Sequence, residues 1–230
     1  MRSLFCLFSV LSLPALAAGL NDTGVTTCYD GNSLIACTTA NTGDSATYPR
    51  QDARFGRDAA QQAGKLPAKI GGGAAGFDFT PFDVRGNPLA LTGTPPVPSA
   101  TPACVRDNVT GLIWEGKTPA YKDLTYTWDN ANALASVYRN PAVGLCGTSI
   151  GWRLPTRREL LSLVHRGTQH PAIDTSYFPN TATSFYWSSD NVNVNTVPPT
   201  DLWIVSFIDG TSEPRPKTER FAVRFVRSGS

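Results

Sequence analysis

Few side chains in this sequence could do covalent or metal chemistry, and their spacing argues against both. The 230 residues hold five cysteines and two histidines. No Cys-x-x-Cys pair occurs, so neither a dithiol redox centre nor paired thiolate ligands are expected. His165 and His170 lack the His-x-x-x-His spacing of a metal-binding helix. His165 instead falls near the end of a helical segment, where a positive charge suits the helix dipole. No Gly-x-Ser-x-Gly occurs, and nothing sets a base beside a particular serine. Gly71-Gly72-Gly73 lacks the Lys-Ser/Thr of a phosphate loop and reads as flexible linker. No catalytic residue, metal or cofactor is therefore expected.

Binding chemistry is better supplied. Ser188 to Thr200 is a polar stretch holding Asp190, Asn191, Asn193 and Asn195, followed by Pro198-Pro199. Asp and Asn offer paired acceptors and donors to hydroxyl groups, and Tyr186 or Trp203 could stack on a sugar ring. The plainer reading is a solvated hairpin loop with Trp187 and Trp203 in the core, and for the tryptophans that reading is preferred. Arg215, Lys217, Arg220, Arg224 and Arg227, with Arg157 and Arg158, make a basic group suited to an acidic or sulfated polysaccharide. Residues 101–230 nevertheless hold 13 basic against 11 acidic side chains, so a mixed solvated surface is the default. A net charge of +2 for the whole chain implies neither nucleic acid nor a membrane surface as partner.

The compartment follows from the first residues. Met1-Arg2 precedes an apolar run from Leu4 to Leu13, then Pro14 and the small-x-small site Ala15-Leu16-Ala17. This order reads as a signal peptide over 1–17, with a mature chain from Ala18. The run is too short to span a bilayer, which takes about 20 apolar residues. Cys6 lies inside it and is rejected as a lipid anchor. No comparable apolar segment follows, so the expected location is secreted, periplasmic or cell-surface. The remaining Cys28, Cys37, Cys104 and Cys146 are an even set, which in an exported chain favours disulfides. Three pairings are open. Cys28–Cys37 is favoured because Asp30-Gly31-Asn32 is a turn signal between them, which leaves Cys104–Cys146.

The elements that must position these groups divide near residue 100. Residues 18–100 form a Gly- and Pro-rich extension with few large apolar residues, one polar helix expected from Asp52 to Ala63, and loop or linker at Thr94-Pro95-Pro96-Val97-Pro98. It is expected to pack on the second part or to extend from it. Residues 101–230 hold all five tryptophans. Gly111 to Trp114 reads as a strand after the Asp107-Asn108 turn. Thr127 to Arg139 has helical spacing, with Ala131, Leu134, Ala135 and Tyr138 on one face. Thr156 and Glu159 make a capping box ahead of a stripe of Leu160, Leu163 and Val164, with Gly167 as the stop. Phe185 to Ser188, Leu202 to Ile208 and the alternating Phe221 to Val226 read as strands. Two helices and several short antiparallel strands make an α+β domain.

Several blocks in order resemble one family. Asp107-Asn108-Val109-Thr110-Gly111-Leu112-Ile113-Trp114, Gly151-Trp152-Arg153-Leu154-Pro155-Thr156-Arg157-Arg158-Glu159, Pro171-Ala172-Ile173-Asp174, Phe178-Pro179-Asn180-Thr181, Tyr186-Trp187-Ser188-Ser189 and Val223-Arg224-Phe225-Val226-Arg227 are similar to the Lcl C-terminal domain. Gly76-Phe77-Asp78-Phe79 resembles a stretch that precedes it in some members. The resemblance implies a C-type-lectin-like fold related to the formylglycine-generating enzymes, in adhesins, glycan-binding domains or display modules. The Glu-Pro-Asn and Gln-Pro-Asp calcium tripeptides of such lectins are absent, and Glu213-Pro214-Arg215 is a partial echo. The expectation is an exported module that binds a glycan or other surface ligand, with its oligomeric state open. Its rivals are a structural subunit of a surface appendage, and a formylglycine-type enzyme using Cys104 and Cys146.

Overall fold

The computed structural model describes residues 21–37, 48, 50–138, 144–193 and 200–229. The signal peptide expected at 1–17, Asn195 and Pro198-Pro199 lie outside the described residues. In chain order the elements are β1 (Cys28–Tyr29), β2 (Leu34–Ile35), α1 (Arg57–Gln62), β3 (Phe79–Phe82), β4 (Leu91–Thr92) and β5 (Val97–Pro98). Then come β6 (Cys104–Asp107), β7 (Leu112–Glu115), α2 (Trp128–Val137), α3 (Arg157–Leu161), β8 (Phe185–Asn191), β9 (Asp201–Ser206), β10 (Ser212–Pro216) and β11 (Val226–Ser228). The fold is α+β, with its strands paired antiparallel.

Asp107 makes the turn that starts the first sheet. Its carboxylate accepts from the Val109 amide at 2.9 Å and from the Thr110 hydroxyl at 2.7 Å, and Gly111 takes a left-handed φ of +74°. The chain therefore reverses, and β7 pairs back on β6. β3 and β11 add to the outer sides, giving the order β11-β7-β6-β3. A second sheet has the order β10-β9-β8. Side chains alternate across both sheets and feed two cores. Val105, Trp114, Tyr186 and Val205 join Leu160, Leu163, Ile173 and Phe178 in one. Cys104, Ile113, Trp187 and Ile204 join Ala131, Ala135 and Trp152 in the other.

Several sequence expectations are revised here. The extension supplies β3, and its Phe77 and Phe79 are buried in the first core. Gly71-Gly72-Gly73 is no loose linker. A Cβ on Gly71 would lie 1.9 Å from the Phe79 carbonyl oxygen, and one on Gly72 would lie 2.1 Å from the Tyr177 hydroxyl. Val97 and Pro98 belong to a hairpin, β4 with β5. The helix expected over Asp52–Ala63 is a 3-10 turn, Asp52–Arg54, and then α1. Gly56 divides them, close against the carboxylate of Asp22.

The capping box is present at α3, but the helix stops at Leu161 rather than running to Gly167. The amides of Leu163 and Val164 close tight turns on Leu160 O and Leu161 O, and tertiary acceptors take the next two: His165 N donates to Ala172 O at 3.0 Å and Arg166 N to Thr23 O at 2.7 Å. Thr127 holds the N-cap position of α2 without a side-chain cap bond. Of the one-sided strand expected from Phe221 to Val226 only Val226 lies in a strand, β11, and the segment before it is buried on both sides. Ala222 and Val226 enter the first core and Val223 and Phe225 the second, because this segment threads between them. Cys28–Cys37 and Cys104–Cys146 are both disulfide-bonded, as the turn argument favoured.

Candidate functional site

The strongest cluster of uncommitted polar groups is built on the start of α3. Thr156 Oγ1 accepts from the Glu159 amide at 3.2 Å, and Glu159 Oε2 accepts from the Thr156 amide at 2.7 Å. Arg153 forks onto both oxygens of Glu159, at 2.8 and 2.6 Å. These bonds fix the first turn of the helix. Arg157 therefore projects over the second sheet, with its guanidinium carbon 3.8 Å from the ring centroid of Trp203 on β9. Arg157 Nε donates to Ser212 Oγ on β10 at 2.6 Å, and its backbone amide donates to Asp190 Oδ2 on β8 at 3.0 Å. Among the described residues, the terminal guanidinium nitrogens of Arg157 and Oδ1 of Asp190 have no hydrogen-bond partner. A stacked planar donor pair can hold adjacent hydroxyls or an acidic group, and a carboxylate oxygen can accept from a hydroxyl.

The pleat splits the residues expected to act together. Trp203 is the register partner of Pro214, while Arg215 partners Leu202 and so points to the opposite face. There Arg215 is held by Glu213 at 2.6 Å and lies 5.9 Å from the Phe185 ring. Lys217 is paired with Asp129 of α2 at 3.1 Å, and Arg220 donates to Thr125 O at 2.5 Å. Asn191 ends β8 opposite Leu202, and its Oδ1 accepts from the Asn193 amide at 3.1 Å. The structure thus groups Asp190 and Trp203 with Arg157 and Ser212, and takes Arg215, Lys217 and Arg220 elsewhere. Nothing in the sequence linked Arg157 to Trp203. The only signal was the capping box, which gives Arg157 a fixed first-turn position.

The sequence profile of the Lcl C-terminal domain matches residues 103–227, more than half of the chain. The chain belongs to the Lcl C-terminal domain family. Such domains occur in exported bacterial proteins. No curated protein matches the sequence. The matched span begins after β3, yet this Lcl C-terminal domain uses β3 as the outer strand of its first sheet.

Two expectations for the Lcl C-terminal domain need correction. Tyr186 offers no ring face to a ligand: it is 0% exposed, and its hydroxyl accepts from the Ala182 amide at 2.9 Å. Arg224 is no surface cation. It is 0% exposed and donates to Glu115 O at 2.6 Å and to Thr181 Oγ1 at 2.7 Å. Glu115 is itself buried, with Lys117 at 3.0 Å and the Tyr138 hydroxyl at 3.2 Å on Oε1, and the Phe225 amide at 3.0 Å on Oε2. Burial, against the pull of Glu115, lowers the Lys117 pKa, and burial with Glu115 raises that of Tyr138. This is a structural charge network joining β7 to the segment before β11.

His165 also differs from expectation. It is buried, its Nδ1 accepts from the Gly167 amide at 3.1 Å, and burial lowers its pKa below the ordinary imidazole value. A neutral ring in a packed site replaces the helix-end cation. It borders a cleft of 1260 Å³ whose other walls include Val25, Lys69, Gly72 and Thr168. The Lys69 ammonium there is consumed by the carbonyls of Gly73 and Ala75. None of the expected binding residues lines this cleft. Among the described residues no three His, Cys, Asp or Glu side chains are grouped to hold a metal ion, and no helix is long and apolar enough to cross a membrane.

Proposed function

We propose that this chain is an exported binding and adhesion module of lectin-like fold, and that it holds a glycan or a similar hydroxyl-rich surface ligand at Arg157, Trp203 and Asp190. The observation that carries this reading is the stacked Arg157 guanidinium, whose outer donors have no partner among the described residues, on a residue whose backbone amide also holds the carboxylate of Asp190. The indole fixes the plane of the guanidinium, so little side-chain entropy is lost when a ligand is bound. Asn191 and Asn193 border the same strand end and extend the polar rim. Two disulfides support an oxidising compartment, in keeping with export through the signal peptide read at 1–17.

The enzyme reading loses its thiol pair, since Cys104 and Cys146 are joined and Cys104 is buried. A glycan array on the mature chain tests the binding reading, run with and without calcium and at two salt concentrations. Signal that Trp203→Ala and Asp190→Asn abolish, with both variants folded, is the expected result. Absence of signal, or signal indifferent to both substitutions, overturns it.

A further inference from the structure

Two arginines on the first sheet stand together with no counter-charge among the described residues. Ile113 of β7 is the register partner of Arg106 on β6 and of Arg227 on β11. Residues in one row across a sheet share a face, so both arginines rise on either side of Ile113, from strands about 10 Å apart. Arg106 then leans across β7. A Cβ built on Gly229 would sit 3.1 Å from Arg106 Nη2 and 3.5 Å from its Nε. Gly229 follows Arg227 by two residues and is on the same face. The guanidinium of Arg106 is therefore delivered to the strand that carries Arg227. Arg227 lies 5.8 Å from the Trp152 ring, donates through Nη1 to Ser228 O at 3.1 Å, and has a buried Nε with no partner.

The Arg106 side chain has no hydrogen bond or ion pair among the described residues. Nearby carboxylates are committed elsewhere. Asp107 points to the other face, where it bonds Asn21 and Thr110. Glu115 holds Lys117, and Glu159 holds Arg153. Burial first, and then the charge of Arg106, lower the pKa of Arg227 from its ordinary value. Like charges brought together and partly desolvated cost stability, and an anion between them removes that cost.

We propose that Arg106 and Arg227 form an oxyanion-binding site for a sulfate or phosphate group, walled by Ile113 and Trp152. Two planar guanidinium forks suit an oxyanion with several acceptor oxygens better than they suit chloride. The site stands on a different sheet from the Arg157–Trp203 stack, so the two readings fail independently.

The test is a titration of the mature chain with sodium sulfate, and separately with sodium phosphate, against sodium chloride at equal ionic strength. Amide and arginine Nε–H resonances are followed by NMR. Saturable shifts centred on Ile113, Arg227 and Gly229 are expected with at least one of the two anions, with affinity at least tenfold weaker in Arg106→Gln and in Arg227→Gln. Without anion, Arg106→Gln should melt no lower than the parent chain, because a repulsion has gone. The rise in melting temperature that sulfate or phosphate gives the parent beyond chloride should be lost in that variant. Shifts that do not saturate, or that spread over all basic residues, overturn the site. So does an affinity unchanged in Arg106→Gln, or a variant that melts far below the parent, which would make Arg106 a structural residue.

Discussion

The guanidinium carbon of Arg157 lies 3.8 Å above the ring centroid of Trp203, so the stack covers one face of the indole. The covered indole face is not open to a sugar ring. In the proposed binding site the recognition edge is instead the guanidinium, whose Nε is already spent on Ser212. Trp203 thus becomes a support, and Arg157 the group that reaches outward.

Removing either partner should separate support from contact. Arg157→Ala is expected to lower stability by about 1 kcal/mol, the usual worth of a partly desolvated cation–π pair, and to abolish ligand binding. Arg157→Lys keeps the charge but loses the planar fork, so it should keep most of the stability and little of the binding. Urea denaturation and the glycan array read the two effects.

The buried charge network makes a larger prediction. Glu115→Gln leaves Lys117 without its carboxylate in a buried site, while Arg224 keeps its bond to the Glu115 backbone carbonyl. A loss of about 3–5 kcal/mol is expected, since an uncompensated buried charge remains after one partner is removed. Replacing Lys117 by Met in the same chain should recover part of this loss. Chemical denaturation of the single and double variants gives the coupling.

Acid should weaken the helix cap. Burial alone would raise the pKa of Glu159, but hydrogen bonds from Arg153 and from Thr156 outweigh it, and the carboxyl lies below its ordinary 4.5. A depressed carboxyl pKa adds stability that is complete above the unfolded value and fades as pH falls through the folded one. The stability difference between the parent and Glu159→Gln should therefore be largest near neutral pH and shrink below 4.5. The paired comparison is needed because buried Asp107 is shifted upward, chiefly by burial, and titrates in the opposite sense.

The two disulfides should differ in worth. Cys104–Cys146 spans 42 residues and Cys28–Cys37 spans 9. Loop-closure entropy then predicts losses of about 4 and about 3 kcal/mol when each is replaced by a serine pair. Thiol titration of the native mature chain should find no reactive cysteine. Denaturation midpoints of the two serine-pair variants give the order.

Elements whose causes are local were legible in the sequence. The Thr156–Glu159 capping box, the Asp107 turn and the Asp30-Gly31 turn between Cys28 and Cys37 depend on neighbours within a few residues, and each is present. Long-range causes defeated the same reading. The alternation from Phe221 to Val226 suggested a solvated face, yet a second core waited on that side. Trp203 and the basic group at Arg215 were both candidates for a ligand, but the pleat sends them to opposite faces of the second sheet.

The sequence by itself determined the α+β class, the family and several of the turns, and it favoured one cysteine pairing of three, because these rest on residue type and short spacing. Only the tertiary structure decided which charges are free. Arg224 became a core residue, Arg215 and Lys217 were neutralised by Glu213 and Asp129, and Arg157 and Arg106 kept donors with no partner among the described residues. The availability of a charge depends on which distant side chain folds against it, and residue spacing does not encode that choice.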